Sequence, residues 1–499
     1  MKTQELYDKK VLILGLGREG LNTLTFLRKL FPKKPLALAD KLTIEKLNKP
    51  AREEIQKDKN LELYLGKRYL ENLSRFDVII KSPGVPPTLP QLLKIRKAGK
   101  TITSQTRLFF ENYPGKIIGI TGTKGKSTTT TLVYKVLKNG GLDTHLVGNI
   151  GKPPLTLLLK AKKEDIFVYE LSSHQLYDLT KSPYIAVLLN IFPEHLDYYQ
   201  SFNQYVRAKA NITQFQTSHD YLVFNWSNAI VKKIAQKTQA QKIPFSLTKK
   251  LCPGCFVKNK EIVYCFDSKE EKIVSIDKVP LKGKFNLQNV MPAIIIGKLL
   301  SIPTPKIAQA IQDFKPLKHR LEKVGVFKGI TFYNDSLSTI PQTAIEAIDS
   351  FKGEVRTIIL GGFERHQDFK NLAKKIWESK IETVILFPTT GERVWAAIRK
   401  EKPKNRSLPK HFFVNDMKET VKLAYQHTPK GKICLLSPAS ASFNLFKDYK
   451  ERGNLFKKYV RQLGYTAASQ RPKTANIIPA SQNRATIFGS SQPLYWKNR

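Results

Sequence analysis

One short segment constrains the fold more than any other: the loop TGTKGKST at residues 121–128. The apolar run KIIGI precedes this loop, and a helical pattern, TTTLVYKVL, follows it. A strand that enters a helix through such a loop presents backbone N–H groups and a helix N-terminus to phosphate groups. The chain is therefore expected to contain an α/β domain that binds a nucleotide.

The residue types in this loop suggest separate tasks. Lys126 would reach the β- and γ-phosphates, and the Ser127 hydroxyl would coordinate Mg²⁺. Ile120 stands where the general phosphate-loop pattern has its first glycine, so an ordinary glycine turn is the alternative. The predicted ATP-contacting positions of the loop are Gly122, Thr123, Lys124, Gly125, Lys126, Ser127 and Thr128.

A second glycine-rich loop, GLGREG at 15–20, follows the apolar run VLIL. Asp40 ends the next apolar run, about 20 residues further on, where a ribose-binding acid sits in dinucleotide-binding folds. The spacing indicates a site for a dinucleotide or another nucleotide diphosphate. A purely structural glycine turn stays open as the second interpretation.

Apolar runs alternate with helical patterns along the 499 residues, which is typical of parallel α/β domains. The predicted fold class is α/β with three domains. A Rossmann-like domain covers 1–112, a central phosphate-loop domain with a mostly parallel sheet covers 113–315, and a C-terminal Rossmann-like domain covers 316–465. Residues 466–499 contain no acid and are rich in Ser, Pro, Gln and Asn, so a disordered basic tail is expected.

The charge of the chain raises a competing function. Lys and Arg total 84 against 41 Asp and Glu, which gives a formal net charge of +43. Such an excess is compatible with a phosphate-loop protein that binds nucleic acid. The basic residues are scattered over all three domains, however, and do not cluster with aromatic residues as nucleic-acid sites do. We therefore predict a compositional bias and no nucleic-acid partner.

The sequence also suggests a compartment. The N-terminal apolar run is too short for a signal peptide, and no run approaches 18 apolar residues, so a cytoplasmic protein without membrane insertion is expected. Cys252, Cys255 and Cys265 lie close together, but no second Cys-x-x-Cys pair follows. This favours a surface hairpin with free thiols over a zinc site.

Several separate segments together resemble the Mur ligase family, the ATP-dependent amino-acid ligases of peptidoglycan precursor synthesis. The resemblance covers about residues 8–463 and is strongest to the MurD type. Besides the two glycine-rich loops, the segments that carry it include SPGVPP (82–87), GNIG (148–151), ELSSHQL (170–176), NIFPEHLDYY (190–199), YVRAK (205–209), GKFNLQN (283–289), HRLE (319–322), YNDS (333–336), GGF (361–363), LLSPASASF (435–443) and ERGN (451–454).

The resemblance implies a reaction. ATP would phosphorylate the carboxylate of UDP-N-acetylmuramoyl-L-alanine, and the amine of D-glutamate would attack the acyl phosphate, with Mg²⁺, or Mn²⁺ in its place, as the metal. Addition of L-glutamate is the first alternative, and another Mur or folylpolyglutamate-type ligase is the second, although YNDS and GLGREG argue against the latter. A monomer is expected.

The resemblance also carries roles over to individual residues. The implied catalytic residues are Lys126, Glu170, His195, Lys209 and Arg320. Ser127, Glu170, His195 and Lys209 are the implied metal ligands, with Lys209 carrying CO₂ as a carbamate. Asn286, Asn289, Arg320 and Asp335 are the implied ATP contacts outside the loop.

The two remaining substrates have implied residues as well. Those for the UDP-sugar are Leu16, Gly17, Arg18, Asp40, Lys41, Ser82, Gly84 and Asn149. Those for glutamate are Thr339, Ser442 and Tyr449. Leu337 replaces a lysine that the family pairs with a glutamate carboxylate, and Phe285 replaces a histidine. A charged substrate group needs a partner in a closed site, so another cation, Arg365 or Lys447, must serve.

Overall fold

Three α/β units follow one another along the chain in the computed structural model, which describes residues 1–47, 49–195 and 198–465. Each unit is built on its own sheet, so the predicted α/β class and three-part order are confirmed. The predicted tail at 466–499 lies outside the described residues. None of the helices in the described part of the chain combines the length and apolar character that crossing a bilayer requires.

The first unit has a five-stranded parallel sheet in the order β3-β2-β1-β4-β5. The VLIL and VIIK strands are buried along their whole length because helices cover both faces of the sheet. The strands are β1 (Val11–Leu14), β2 (Leu36–Asp40), β3 (Leu61–Leu65), β4 (Val78–Lys81) and β5 (Thr101–Thr103). The helices are α1 (Arg18–Leu30), α2 (Lys49–Lys57), α3 (Pro90–Lys97) and α4 (Gln105–Asn112).

The central unit has nine strands in the order β14-β13-β12-β11-β10-β9-β6-β8-β7. The seven strands from β7 to β12 in this order pair in parallel, and the last two strand pairs, β12·β13 and β13·β14, are antiparallel. The strands are β6 (Ile117–Thr121), β7 (Thr144–Gly148), β8 (Ile166–Glu170), β9 (Ile185–Leu188), β10 (Tyr221–Asn225), β11 (Gln241–Ser246), β12 (Gly254–Lys258), β13 (Glu261–Phe266) and β14 (Lys269–Ser275).

The helices of this unit are α5 (Lys126–Asn139), α6 (Leu155–Leu158), α7 (Ser173–Leu176), α8 (Phe202–Ala210), α9 (Ala229–Ala235), α10 (Lys284–Leu299) and α11 (Thr304–Gln312). Helix α10 is apolar almost all round, and it is buried between α5 and the sheet. This packing fixes the helix that starts at the phosphate loop.

The third unit has six strands in the order β15-β16-β20-β17-β18-β19, parallel except for the first pair. The strands are β15 (Glu322–Phe327), β16 (Ile330–Asn334), β17 (Val355–Gly361), β18 (Thr383–Phe387), β19 (Lys410–Phe413) and β20 (Ile433–Leu436). The helices are α12 (Pro341–Asp349), α13 (Lys370–Glu378), α14 (Thr390–Lys400), α15 (Met417–His427) and α16 (Tyr449–Gly464).

The first two units share one apolar core. A single cluster of buried side chains runs from Leu6 in the first unit to Ala240 in the central unit. Polar contacts also cross this boundary. Tyr198 Oη donates to Pro83 O at 3.1 Å, and Gln175 Nε2 donates to Glu19 Oε1 at 2.6 Å. The two units therefore form one packed body.

The prediction that the cysteine hairpin carries free thiols is wrong for two of its three cysteines. Cys252 and Cys265 form a disulfide, with Cα atoms 5.0 Å apart. The cause is the antiparallel register of β12 and β13, which pairs Gly254 with Cys265 and brings the preceding turn against that strand. Cys255 is buried and free, and so is Cys434 in β20.

Candidate active site

The phosphate loop leaves the carboxyl end of β6, between β8 and β9, where ligands bind in parallel α/β sheets. Gly125 caps α5 with a φ of 88°, and a side chain there would collide with Asn289. Lys126 Nζ donates to two loop carbonyls, Gly122 O at 2.9 Å and Thr123 O at 3.0 Å. Burial lowers the pKa of Lys126, while Glu170 acts in the opposite direction.

Lys124 connects the loop to the third unit. Its Nζ lies 2.7 Å from Glu194 Oε1 and 3.0 Å from Thr339 Oγ1. Burial by itself would raise the pKa of Glu194, but the charges of Lys124, His195 and Lys126 outweigh it and lower that pKa to about 2. Glu194 therefore stays an anion that holds Lys124 between the predicted ATP and glutamate positions.

Lys209 lies directly beneath the loop. Its Nζ donates to Gly122 O at 2.9 Å, lies 3.4 Å from Thr121 Oγ1 and is 4.8 Å from the centre of the Tyr205 ring. The side chain is buried. Burial, followed by the charge of Lys126, holds the pKa of Lys209 well below its ordinary value. The amine is therefore available in its neutral, nucleophilic form.

Glu170 ends β8 and is completely buried. One carboxylate oxygen accepts a hydrogen bond from Asn149 Nδ2 at 3.0 Å, and the other has no partner among the described residues. Thr128 Oγ1, at the start of α5, is also buried without a hydrogen bond to any described residue. These unpaired oxygens fit a cation and a phosphate-bearing ligand at the carboxyl end of the sheet.

His195 lies beside a second histidine, with its ring centre 4.9 Å from that of His174. Burial lowers the pKa of His195 to about 4 and that of His174 to about 3, and neighbouring cations add to both effects. Both rings are therefore neutral near pH 7. Within the described ranges, no group of three or more His, Cys, Asp or Glu side chains forms a ready-made metal site. A metal at Glu170 would need ligands from the phosphate groups.

Residues from the central and third units meet at a narrow pocket beside the loop. Lys124, Gly125 and Asn289 line its one side, and Arg320 and Asp335 line the other. Arg320 Nε is buried and unpaired among the described residues. Burial raises the pKa of Asp335 to about 7, although Arg320 acts against this shift. The sequence-predicted ATP residues from the two units are thus brought together.

Two asparagines fix the central side of this pocket. Asn289 Nδ2 donates to Asn286 Oδ1 at 2.9 Å, and Asn286 Nδ2 donates to Lys282 O at 2.6 Å. Phe285, which departs from the family pattern, packs against the apolar core of the third unit and lines the same pocket. A histidine would be a poorer partner for that core, so the exchange has a packing reason.

The predicted UDP-sugar residues surround a cavity of about 500 Å³ between the first and central units. Asp40 accepts hydrogen bonds from Leu16 N at 2.6 Å and Leu42 N at 2.8 Å, so the carboxylate shapes the glycine loop. Leu16 itself is buried in the core and does not line the cavity. The predicted residues that do line it are Gly17, Arg18, Asp40, Lys41, Ser82, Gly84 and Asn149.

The predicted glutamate residues lie on two loops and at the start of one helix of the third unit. Thr339 faces Lys124, Ser442 is buried after β20, and Tyr449 begins α16. Of the two replacement cations, Lys447 is exposed, whereas Arg365 lies close enough to His195 for its charge to lower the pKa of that ring. Arg365 Nε is buried without a partner in the described ranges.

Some residues of the site were missed by sequence reasoning. Arg452 is completely buried and donates to Ser336 Oγ, Ser336 O, Ala441 O and Ser440 O at 2.9–3.3 Å. It therefore ties together the loops that carry Asp335 and Ser442. The ERGN segment contributes to the resemblance to the Mur ligase family, but the resemblance implied no role for its arginine. The resemblance likewise implied no role for Glu194, which lies in the NIFPEHLDYY segment.

Three family models match the chain in succession. They are the Mur ligase MurD-like N-terminal domain at residues 9–104, the Mur ligase middle domain at 120–297, and the Mur ligase glutamate ligase domain at 319–440. The predicted divisions near 112 and 315 fall in the gaps between these matches.

Curated relatives match almost the whole chain. The UDP-N-acetylmuramoylalanine--D-glutamate ligase of Acetivibrio thermocellus is 34% identical over 463 residues, which is 92% of this chain and 98% of the relative. The ligase of the same name from Clostridium tetani is 34% identical over 460 residues, again 92% and 98% of the two chains.

Solved structures of lower identity share the fold. UDP-N-acetylmuramate-alanine ligase MurC from Thermotoga maritima has a TM-score of 0.57 at 16% identity and covers 91% of this chain and 99% of its own. MurF from Acinetobacter baumannii has a TM-score of 0.59 at 14% identity, with 92% and 93% covered. With three consecutive domain matches and relatives aligned over nine-tenths of its length, the chain belongs to the Mur ligase family of ATP-dependent, amide-bond-forming ligases.

Proposed function

We propose that this chain adds D-glutamate to UDP-N-acetylmuramoyl-L-alanine at the expense of ATP. One arrangement carries the proposal: the phosphate loop lies between the two substrate positions. On one side Asn149 lines the UDP-sugar cavity and donates to Glu170, next to Lys126. On the other side Lys124 contacts Thr339. The relatives named above are D-glutamate ligases, which gives the amino acid.

The cations of the site suit a transfer between anions. The substrate carboxylate would attack the γ-phosphorus of ATP, an acyl phosphate and ADP would form, and the glutamate amine would then displace phosphate with loss of a proton. Lys126 and Arg320 would neutralise the oxygens of the transferred phosphoryl group. Because the reactants are anions, holding them together without their water shells is the main contribution of the protein.

Bound Mg²⁺, or Mn²⁺ in its place, would supply further charge neutralisation at the phosphates. Ser127 and the unpaired oxygen of Glu170 would hold it, with His195 close by. His195 is suited to this task because it is neutral near pH 7, and a neutral imidazole has a free lone pair. The ligand set is thus oxygen-rich, as hard divalent cations prefer.

We further propose that Lys209 carries a carbamate. The neutral amine would add to CO₂ and release one proton, which converts a buried neutral group into an anion. An ammonium group at Lys209 would be repelled by the charges of Lys126 and Lys124, and this repulsion helps to keep the amine neutral. A carbamate would reverse this repulsion and attract both a metal and Lys126.

Replacement of Lys209 tests the carbamate. Lys209→Ala should lower kcat by about a thousandfold or more, since a charged group next to the reacting phosphate is lost. Short carboxylic acids such as acetate should restore part of kcat, because they supply the missing carboxylate. A mutant that keeps substantial activity without added acid would contradict the carbamate, as would wild-type activity that is insensitive to CO₂ depletion.

Arg365 is our choice for the cation that pairs with a glutamate carboxylate in place of the lysine lost at Leu337. Its Nε is unpaired in the described structure, and its charge reaches His195. We expect Arg365→Met to raise the KM for glutamate by about 10- to 100-fold, because a charged hydrogen bond contributes about 1.5–3 kcal/mol. Lys447→Met is the matched control and should change the KM less than twofold. Equal effects of the two changes would refute this assignment.

A measurement of phosphate release tests which amino acid is the substrate. Purified chain with ATP, Mg²⁺ and UDP-N-acetylmuramoyl-L-alanine should release phosphate with D-glutamate and not with L-glutamate or other amino acids. Preference for L-glutamate would overturn the enantiomer, and no turnover with either would overturn the proposed reaction. We also propose a cytoplasmic monomer, and sedimentation of the purified protein tests the monomer.

A further inference from the structure

A second large cavity lies on the central unit, away from the three substrate positions. It has a volume of about 800 Å³ and is formed by α8, α9 and the segments that follow them. This volume is within the range of small-molecule sites and exceeds that of the UDP-sugar cavity. None of the residues proposed above for catalysis or substrate binding lines it.

The cavity has an apolar floor. Helix α8 contributes Phe202 and Val206, which lie one turn apart, and α9 contributes Ile230 and Ile234 in the same way. Phe215, between the two helices in sequence, lines the cavity and keeps 47% of its surface exposed. An exposed aromatic ring beside other apolar groups marks a surface that gains from being covered.

The polar residues of the cavity carry charge of one sign only. Arg207, Lys233 and Lys237 line it, and no acidic residue of the described part of the chain does. Within the described ranges, these three side chains have neither an ion-pair nor a hydrogen-bond partner. Three unpaired cations around an apolar floor favour an occupant with an anionic group and an apolar body.

From this lining we infer that the cavity between α8 and α9 binds a small organic anion that has an apolar, ring-sized body. Tyr205 and Lys209 project from the opposite side of α8 toward the phosphate loop. The bound anion would therefore lie one helix away from the proposed acyl-phosphate chemistry, without access to it.

The dye 8-anilinonaphthalene-1-sulfonate is a suitable probe, because it combines two aromatic groups with a sulfonate. We expect its fluorescence to rise on titration with the full chain, and the rise to persist with saturating UDP and ADP, which occupy the nucleotide sites. Loss of the signal with these nucleotides would place the dye in the substrate sites and overturn the inference.

Variants of the cavity residues test where the dye binds. Lys233→Glu/Lys237→Glu should weaken binding about tenfold or more, since two attractive charges become repulsive. Val206→Trp should weaken it as well by filling the apolar floor. The control is Lys418→Glu/Lys422→Glu on α15, which has the same spacing and charge change on an exposed helix. Retained ligase turnover and melting temperature show that each variant is folded. Equal binding by the α8–α9 variants and the control would refute the site.

Competition tests the role of charge. Naphthalene-1-sulfonate and naphthalene-1-sulfonamide have the same body, but only the first is an anion. The sulfonate should displace the dye at a concentration about tenfold lower than the sulfonamide. Equal displacement by both compounds would show an apolar surface without anion selectivity and would contradict the inference.

Discussion

The three lysines around the phosphate loop occupy different electrostatic environments. Among the described residues, Lys126 donates only to carbonyls of its own loop, Lys209 is buried beneath it, and Lys124 alone has a carboxylate within 3 Å. Because Glu194 stays charged, Lys124 can stay a cation while it contacts Thr339. Lys124 therefore links the phosphate loop directly to the proposed glutamate site.

Replacement of Lys124 tests this connection. Lys124→Met removes the contact to Thr339 and leaves Glu194 buried without its main partner, so we expect kcat/KM for glutamate to fall by about 10-fold or more. Thr339→Val removes only the acceptor. If the contact matters, the double variant should lose less than the product of the two single effects, as a double-mutant cycle of steady-state rates would show. Strictly multiplicative losses would contradict the connection.

His174 gives the site a pH-dependent stability. Burial lowers its folded-state pKa from 6.5 to about 3, so between these values the unfolded chain binds a proton that the folded chain does not. The contribution of His174 is therefore complete above pH 6.5 and is lost as the pH falls towards 3. We expect His174→Phe to retain on the order of 3 kcal/mol more stability than the wild type between pH 7 and pH 4. Urea unfolding at several pH values measures this, and parallel pH profiles would contradict it.

At the scale of residues, sequence motifs predicted the groups that come together but not their partners. Asn149, Glu170, Lys126 and Thr339 were all named, and the structure places them in one continuous series. The role of Glu194 as the partner of Lys124 was not predictable, because 70 residues separate the two in sequence. Pairing across that distance depends on the packing of β6 against β9, which no local pattern records.

Helix α16 is the element that organises the proposed glutamate site. Its residue Arg452 is fully buried, and among the described residues it donates only to neutral oxygens, on the loops after β16 and β20. Burial lowers the pKa of Arg452 to about 9, although the charge of Asp335 acts in the opposite direction. The guanidinium holds two loops in place through planar, multiple hydrogen bonds, for which lysine has the wrong shape.

We expect Arg452→Met to leave several buried carbonyls unpaired and to destabilise the protein by about 3 kcal/mol. Because Ser336 and Ser440 would lose their anchor, the KM for glutamate should rise more than the KM for ATP. Lys450→Met, an exposed neighbour on the same helix, is the control and should leave both values unchanged. Thermal unfolding and steady-state kinetics measure the two effects. A loss of stability with unchanged KM values would restrict Arg452 to a structural role.

Elements were more predictable than contacts. The runs VLIL, IIGIT and IFVYE form the strands that their apolar character indicated, because both faces of a parallel sheet are covered. A surface hairpin was predicted at the cysteine segment, but its disulfide was missed, and so was the way in which β12–β14 extend the central sheet, with β12 parallel to β11 and the next two pairs antiparallel. Free thiols and a disulfide have the same spacing in sequence, and only the strand register separates them.

For the whole molecule, the excess charge of +43 has a kinetic consequence. All proposed substrates are anions, so a positive protein attracts them over a distance of about 10 Å at moderate salt. We expect the KM values for ATP and for the UDP-sugar to rise by about two- to fivefold between 50 and 300 mM NaCl, with little change in kcat. Sucrose at matched osmolality is the control. KM values that do not depend on salt would show that the excess charge has no part in substrate capture.

A few side chains cross the boundary between the packed body and the third unit. Phe285 packs on the core of the third unit, and Lys124 contacts Thr339. Between α11 and β15, only residues 313–321 connect the two parts. A recombinant chimera that takes its final third from a relative would thus have a natural crossover point. The chimera would also need the relative's residues at positions 124 and 285. These two positions lie far from the third unit in sequence but contact it, so they would have to be inherited together with it.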